Sequence, residues 1–158
     1  PEFTDYSMKN RTYRYYTGEP HYPFGYGLIY GKCVVNSVTA EKVYGQEKEF
    51  KGIKLFIETE NQKNTETDDV LQVYIKDLDT EYAVLNPTLA AFKRIHLNCN
   101  ESEKTEIFVD KRAFTSVDEN GNRKITGKNF KLYTGFSQPD ARSEVLTGIK
   151  CKEILCQI

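Results

Sequence analysis

The sequence predicts an all-β fold: a two-sheet sandwich of seven to eight mainly antiparallel strands with at most one short helix. Three observations carry this. Apolar residues recur at every second position in one segment after another. The links between these segments are rich in turn formers, which suits a sandwich. The aromatic residues are eleven Tyr and nine Phe, which favour strands, with no Trp. At 158 residues the chain is one ordinary domain, long enough to bury a real core. We divide it into an aromatic-rich N-terminal extension, residues 1–24, and a β-sandwich domain, residues 25–158.

Pro1-Glu2-Phe3 reads as an expression-vector remnant and is given no structural meaning. The rest of the lead carries Tyr13, Tyr15, Tyr16, Tyr22 and Phe24, punctuated by Pro20 and Pro23. The prolines argue for an extended segment and against a helix. Its rings either pack on the sheet or present an aromatic binding surface. From Gly25 the chain reads as strands. Ile29, Cys33 and Val35 share a face; then come Ile53, Leu55 and Ile57, and Leu71, Val73 and Ile75. Ile95, Leu97 and Cys99 follow, then Ile107 and Val109, Phe130 and Leu132, and Ile149 and Cys151. Asp118 to Asn122, with Asn120-Gly121 at its centre, reads as a hairpin turn rather than a calcium loop. Pro87 to Phe92 reads as one short turn or helix with Pro87 at its first position.

The four cysteines, Cys33, Cys99, Cys151 and Cys156, lack zinc-ligand spacing and read as two disulfides, which imply an oxidising compartment. Cys33 and Cys99 both alternate with apolar neighbours and are expected to pair. That leaves Cys151 with Cys156, a pairing that needs a turn between them, because five residues of strand span about 16 Å. Asn10 and Asn100 open glycosylation sequons. There is no signal peptide, which suits a mature secreted fragment.

A net charge of −1, with no run among the 22 Lys and Arg, gives no electrostatic footprint for nucleic acid. No stretch approaches the length of a transmembrane helix. His21 and His96 are far apart, His96 faces away from the apolar side of its strand, and no catalytic motif is present. No catalytic, cofactor-binding or metal-ligating residue is therefore assigned, and an enzyme is not expected. Glu58, Glu60, Glu66, Asp68 and Asp69 crowd one link and read as a solvated acidic loop in preference to a calcium site.

Several segments resemble the nematode transthyretin-like proteins. They are Gly31-Lys32-Cys33, Gly52-Ile-Lys-Leu-Phe56, Asp68-Asp69-Val70-Leu71, Lys76 to Val84, Ile95-His-Leu-Asn-Cys99-Asn100 and Lys104 to Phe114. The resemblance covers residues 28–115 and implies a secreted, disulfide-containing sandwich that binds a partner. The functional expectation is thus a secreted, non-enzymatic binding protein whose partner is an extracellular protein or a lipid surface. Tyr13, Tyr15 and Tyr16 are its candidate binding surface, because exposed Tyr offers large contact area at low entropic cost. The alternative is a carrier of a small-molecule ligand built as a lipocalin-like barrel.

Overall fold

The alternating segments pair into two antiparallel sheets and a small hairpin. The computed structural model describes residues 2–158; Pro1, the first residue of the expected vector remnant, lies outside the described residues. β1 (Cys33–Tyr44), β2 (Phe50–Asn61) and β5 (Ser102–Asp110) form one sheet in the order β1-β2-β5. β3 (Thr67–Asp77), β4 (Thr88–Leu97), β8 (Asn129–Gly135) and β9 (Lys152–Gln157) form the other, in the order β4-β3-β8-β9. All pairings are antiparallel. β6 (Ser116–Val117) and β7 (Arg123–Lys124) make the hairpin predicted around Asn120-Gly121. Asp118 closes it, accepting from the backbone N–H of Asn120 and of Asn122, while Gly121 takes the left-handed conformation.

The core lies where the two inner faces meet. Ile53, Leu55 and Ile57 of β2 and Ile107 and Val109 of β5 face Leu71, Val73, Ile95, Leu97 and Leu132 across the sandwich. Full burial of each such side chain stabilises by roughly 1.5–3 kcal/mol. Phe114, at the end of a one-turn 3-10 helix (Lys111–Phe114), plugs one end of the sandwich. Its ring meets Phe50 and Phe130 edge-on at 5.3 and 5.1 Å. At the opposite end the inner face of β2 turns polar. Asn61, fully buried, donates to the carbonyls of Thr65 and Asn98 and accepts from the backbone N–H of Lys32 and Lys63. One amide thereby ties the approach to β1 to the β2–β3 and β4–β5 links.

Three local expectations differ from this structure. Pro87 does not start a helix. It precedes β4, whose Thr88, Leu89 and Ala91 pair with β3, and sheet pairing overrides the helix propensity of the alanines. The last strand begins at Lys152, after a helix, α2 (Ala141–Thr147), so Ile149 and Cys151 lie in the connecting link. The lead contains one turn of helix, α1 (Thr12–Tyr15), instead of a continuous extended segment.

The disulfides are corrected as well, since all four thiols are free. Cys33 is buried at the head of β1. Cys99 is exposed, because β4 ends at Leu97 and the alternation that would turn position 99 inward stops with it. Cys151 and Cys156 cannot meet. β9 runs in unbroken register along β8, and extended chain places their α-carbons about 16 Å apart, far beyond bridging distance. The cysteine argument for an oxidising compartment falls with the bridges. Burial pushes Cys33 and Cys151 up to about 12 and also raises Cys156.

Asp69 is the misfit of the inner face. Alternation along β3 turns it inward beside Thr67 and Leu71, and burial raises its carboxyl from 3.8 to about 6, although Oδ1 accepts from the N–H of Val70 at 2.7 Å.

Two expectations follow. A thiol reagent should find four reactive groups in denaturant without reductant and label Cys99 fastest in the native state; fewer than four would restore a disulfide. The second concerns pH. The folded chain keeps the Asp69 proton up to about pH 6, whereas the unfolded chain releases it near pH 4. Stability should therefore fall as pH rises from about 4 through 6 and level off above. Asp68, Asp79 and Asp118 are held below their ordinary range, chiefly by Arg94, Asn129 and Lys124 respectively, so their contribution is lost only below about pH 4. Asp69→Asn should remove the slope. The full displacement corresponds to roughly 3 kcal/mol; with partial solvent contact, about 1–2 kcal/mol of added stability is expected at pH 7. Urea melts at pH 4.5 and 7 compare the two proteins, and an unchanged slope in the variant would refute the assignment.

Candidate functional site

From Leu71 to Ile75 β3 is buried on both faces, and the outer face of that stretch builds the site. Gln72 and Tyr74 point away from the core, yet both are buried because the lead lies across them. Gln72 Nε2 donates to the carbonyls of Gly25 at 2.9 Å and Phe136 at 3.1 Å. Its Oε1 accepts from the Tyr74 hydroxyl at 2.6 Å. The Tyr74 ring meets Phe24 edge-on, and Phe24 stacks on Tyr13 with centroids 4.0 Å apart. Burial pushes the Tyr74 phenol well above its ordinary range, so it stays a neutral donor. Gly25 is required here: its φ is +76°, and a Cβ would run into Gln72 and Tyr74.

Asn86, in the β3–β4 link, fixes the remainder of the lead. Its Nδ2 donates to the carbonyls of Tyr13 and Tyr16 at 2.7 and 2.8 Å, and its backbone N–H to that of Arg14. The backbone N–H of Leu89 donates to the Tyr13 hydroxyl. On the other side stands α2, capped by Asp140, which accepts from the N–H of Ser143 at 2.6 Å, and closed by Gly148 at φ +67°. Arg142 on α2 reaches the carbonyl of His21 and lies 3.6 Å from Glu19.

Between lead and α2 lies an open groove of about 950 Å³, lined by Tyr13, Tyr16, Tyr22, Phe24, Asp140 and Arg142 among others. A second hollow of about 730 Å³ lies beside Tyr15, Lys76, Tyr82, Arg112 and Arg123. Lys76 Nζ donates there to the carbonyls of Val84 and Leu85, and burial lowers its pKa.

The three predicted tyrosines are thus divided. Tyr13 is half-buried and stacked, and Tyr16 is exposed to the same groove, one helical turn on. Tyr15 turns to the second hollow. Asn10 and Asn100 are both exposed at left-handed positions. The acidic residues do not converge. Glu58 and Glu60 accept from Ser37 and Asn36 along β1, whereas Asp68 faces Arg94 at 2.9 Å and His96 at 3.3 Å. Among the described residues no group of three His, Cys, Asp or Glu could hold a metal ion.

Sequence reasoning missed the Gln72–Tyr74 pair, since a strand whose outer residues are polar looks solvent-facing. The helix α2 had a readable signal in Asp140 and Gly148 at cap spacing.

The groove offers flat rings with charged and amide groups at its rim, an arrangement for binding. Its two carboxylates are engaged, Asp140 as a helix cap and Glu19 with Arg142. Among the described residues both sheets have free edges, so they do not close into the lumen that a lipocalin-like carrier requires.

Comparison with known proteins overturns the transthyretin-like resemblance and the functional reading built on it. A fibronectin type III-like domain model matches residues 69–138. A xylan 1,4-β-xylosidase of Xylanibacter ruminicola is 29% identical over 93% of this chain, and a thermostable β-glucosidase B of Acetivibrio thermocellus is 29% identical over 65%. The chain spans only 16% and 14% of their lengths. The crystal structure of the Bifidobacterium adolescentis GH3 β-glucosidase superposes with a TM-score of 0.72 at 22% identity, over 91% of this chain and 20% of that one. The relatives are therefore glycoside hydrolases, not non-enzymatic binding proteins, and the expectation that no enzyme is involved is corrected accordingly. The fold is a β-sandwich of the fibronectin type III-like kind, with three strands facing four.

Proposed function

We propose that these residues form the fibronectin type III-like accessory domain of a longer β-glycosidase that acts on β-linked xylose or glucose. The observation that carries this reading is the alignment of 93% of the chain to 16% of a β-xylosidase. Glycoside hydrolysis ordinarily uses two carboxyl groups about 5–10 Å apart across the scissile bond. In the groove described here both carboxylates are committed to other partners, so this reading assigns the hydrolytic pair to the remainder of the polypeptide. The lead of residues 1–24 and the sandwich of residues 25–158 act together as one accessory unit, bound through Gln72, Tyr74 and Asn86.

The test is the natural polypeptide that contains these residues, assayed on aryl β-xylosides and aryl β-glucosides. Hydrolysis of at least one class is expected. No activity on either, in a protein that is folded by circular dichroism, would overturn the proposal.

A further inference from the structure

Gln138 lies between β8 and α2 and is only 7% exposed, held where its backbone N–H donates to the carbonyl of Phe24. Among the described residues its side-chain amide nevertheless makes no hydrogen bond, and neither amide atom is wholly shut off from solvent. An amide that gives up most of its water and gains no protein partner is costly, and it calls for a partner from elsewhere. The residue lines the groove between the lead and α2, so a ligand in that groove can supply one.

Rings from the lead line the same groove, and they are fixed before any ligand arrives. Phe24 lies flat on Tyr13, with 4.0 Å between centroids and 8° between planes. Tyr22, 72% exposed, stacks on Tyr26 at 5.6 Å and keeps its other face open. Tyr16 closes on Gly18, where a Cβ would come within 2.6 Å of its hydroxyl. Rings already held in place lose little freedom on binding.

The lining also selects the occupant. Its ionic groups are Glu19 and Arg142, which face each other at 3.6 Å, and Asp140, which caps α2, so it favours a ligand without charge. None of its residues belongs to a strand, so it offers no sheet edge to an extended peptide. What remains is flat aromatic faces beside an amide without a partner. A chain of β-linked pyranoses matches both. Its equatorial linkages keep it extended, and each sugar shows an apolar C–H face that suits the negative face of an aromatic ring. Its hydroxyls donate to and accept from an amide. We propose that this groove binds a neutral, β-linked oligosaccharide of xylose or glucose, with sugar rings on Tyr16 and Tyr22 and a hydroxyl on the Gln138 amide. The identity of the sugar rests on the accessory-domain reading above, whereas the groove and its unpartnered amide are independent of it.

The experiment is hydroxyl-radical footprinting of the natural long polypeptide. Phe92 on β4, 67% exposed and outside the groove, is the internal reference that corrects for radicals consumed by sugar. The probes are thio-linked xylohexaose and cellohexaose, whose sulfur linkages resist hydrolysis, with thio-linked maltohexaose as the α-linked control. Oxidation of Tyr16 and Tyr22 relative to Phe92 should fall saturably with at least one β-linked probe, and the two arms distinguish a xylose chain from a glucose chain. Maltohexaose should leave it unchanged. Followed at Tyr16, the midpoint should rise about tenfold in Tyr22→Ala, which loses a stacking ring. It should rise about fivefold in Gln138→Leu, which loses a hydrogen bond to the sugar. Because the Gln138 amide has no protein partner, Gln138→Leu should keep the melting temperature, which separates binding from fold. No saturable protection up to the solubility of the β-linked probes overturns the proposal. So do equal protection by maltohexaose and a midpoint that neither variant moves. Tyrosines 16 and 22 already unreactive without sugar overturn it too, by giving the groove to the rest of the polypeptide or to a second copy. Protection without glycosidase activity upholds the groove and defeats only the accessory-enzyme reading. Activity without protection does the converse.

Discussion

The structure depends on a constraint on the outer face of β3. Gln72 and Tyr74 are polar groups that the lead removes from water, and each must find a partner or cost about 1–3 kcal/mol. Gln72 uses both ends of its amide, on Gly25, Phe136 and the Tyr74 hydroxyl. That requirement fixes where the chain crosses the sheet, why residue 25 is glycine, and where the Phe24 and Tyr13 rings come to rest. A sandwich ordinarily has two layers; here a third is fastened on by hydrogen bonds, and the groove exists only because of it.

The core and the fastening obey different physics. Between the sheets, aliphatic side chains fill space without directional demands, so conservative exchanges of similar volume should be tolerated. Under the lead the contacts are directional. Asn86, Gln72 and the Tyr13 hydroxyl each address a particular backbone atom. Asn61 plays the same part at the far end of the sandwich, where three links converge on one amide. The molecule is thus apolar in its middle and stitched by amides at its margins.

Much of the sandwich was legible because period two is written directly in β2, β3 and β5, where Ile53-Leu55-Ile57 and Leu71-Val73-Ile75 allow no helical reading. What was not legible has physical causes. Alternation separates the two faces of a strand but does not say whether the outer one is covered, so Gln72 and Tyr74 looked like solvent residues. It does not say where a strand stops, so Cys99 was turned inward and paired. The transthyretin-like likeness rested on strand and turn segments that many sandwiches share, which is how an unrelated fold of the same architecture could produce it. The same alternation placed Ile29 on the face of Cys33 and Val35, and there it packs against the core while Leu28 and Tyr30 stay exposed.

The lead's fastening has a consequence for the order of events during synthesis. Its partners lie far along the chain: Gly25 is 47 residues from Gln72, Tyr13 is 73 from Asn86, and His21 is 121 from Arg142. Contacts of such separation reward the chain only after the intervening loops have been closed. As the polypeptide emerges from the ribosome, the aromatic lead appears before its partners in this domain, Gln72, Asn86 and Arg142. Its seat is finished only when β8 has paired with β3 and α2 has formed. Until then a tyrosine-rich segment of no net charge stays open to chaperones and to unwanted association. Within this domain, the stretch that is made first is the last to be placed.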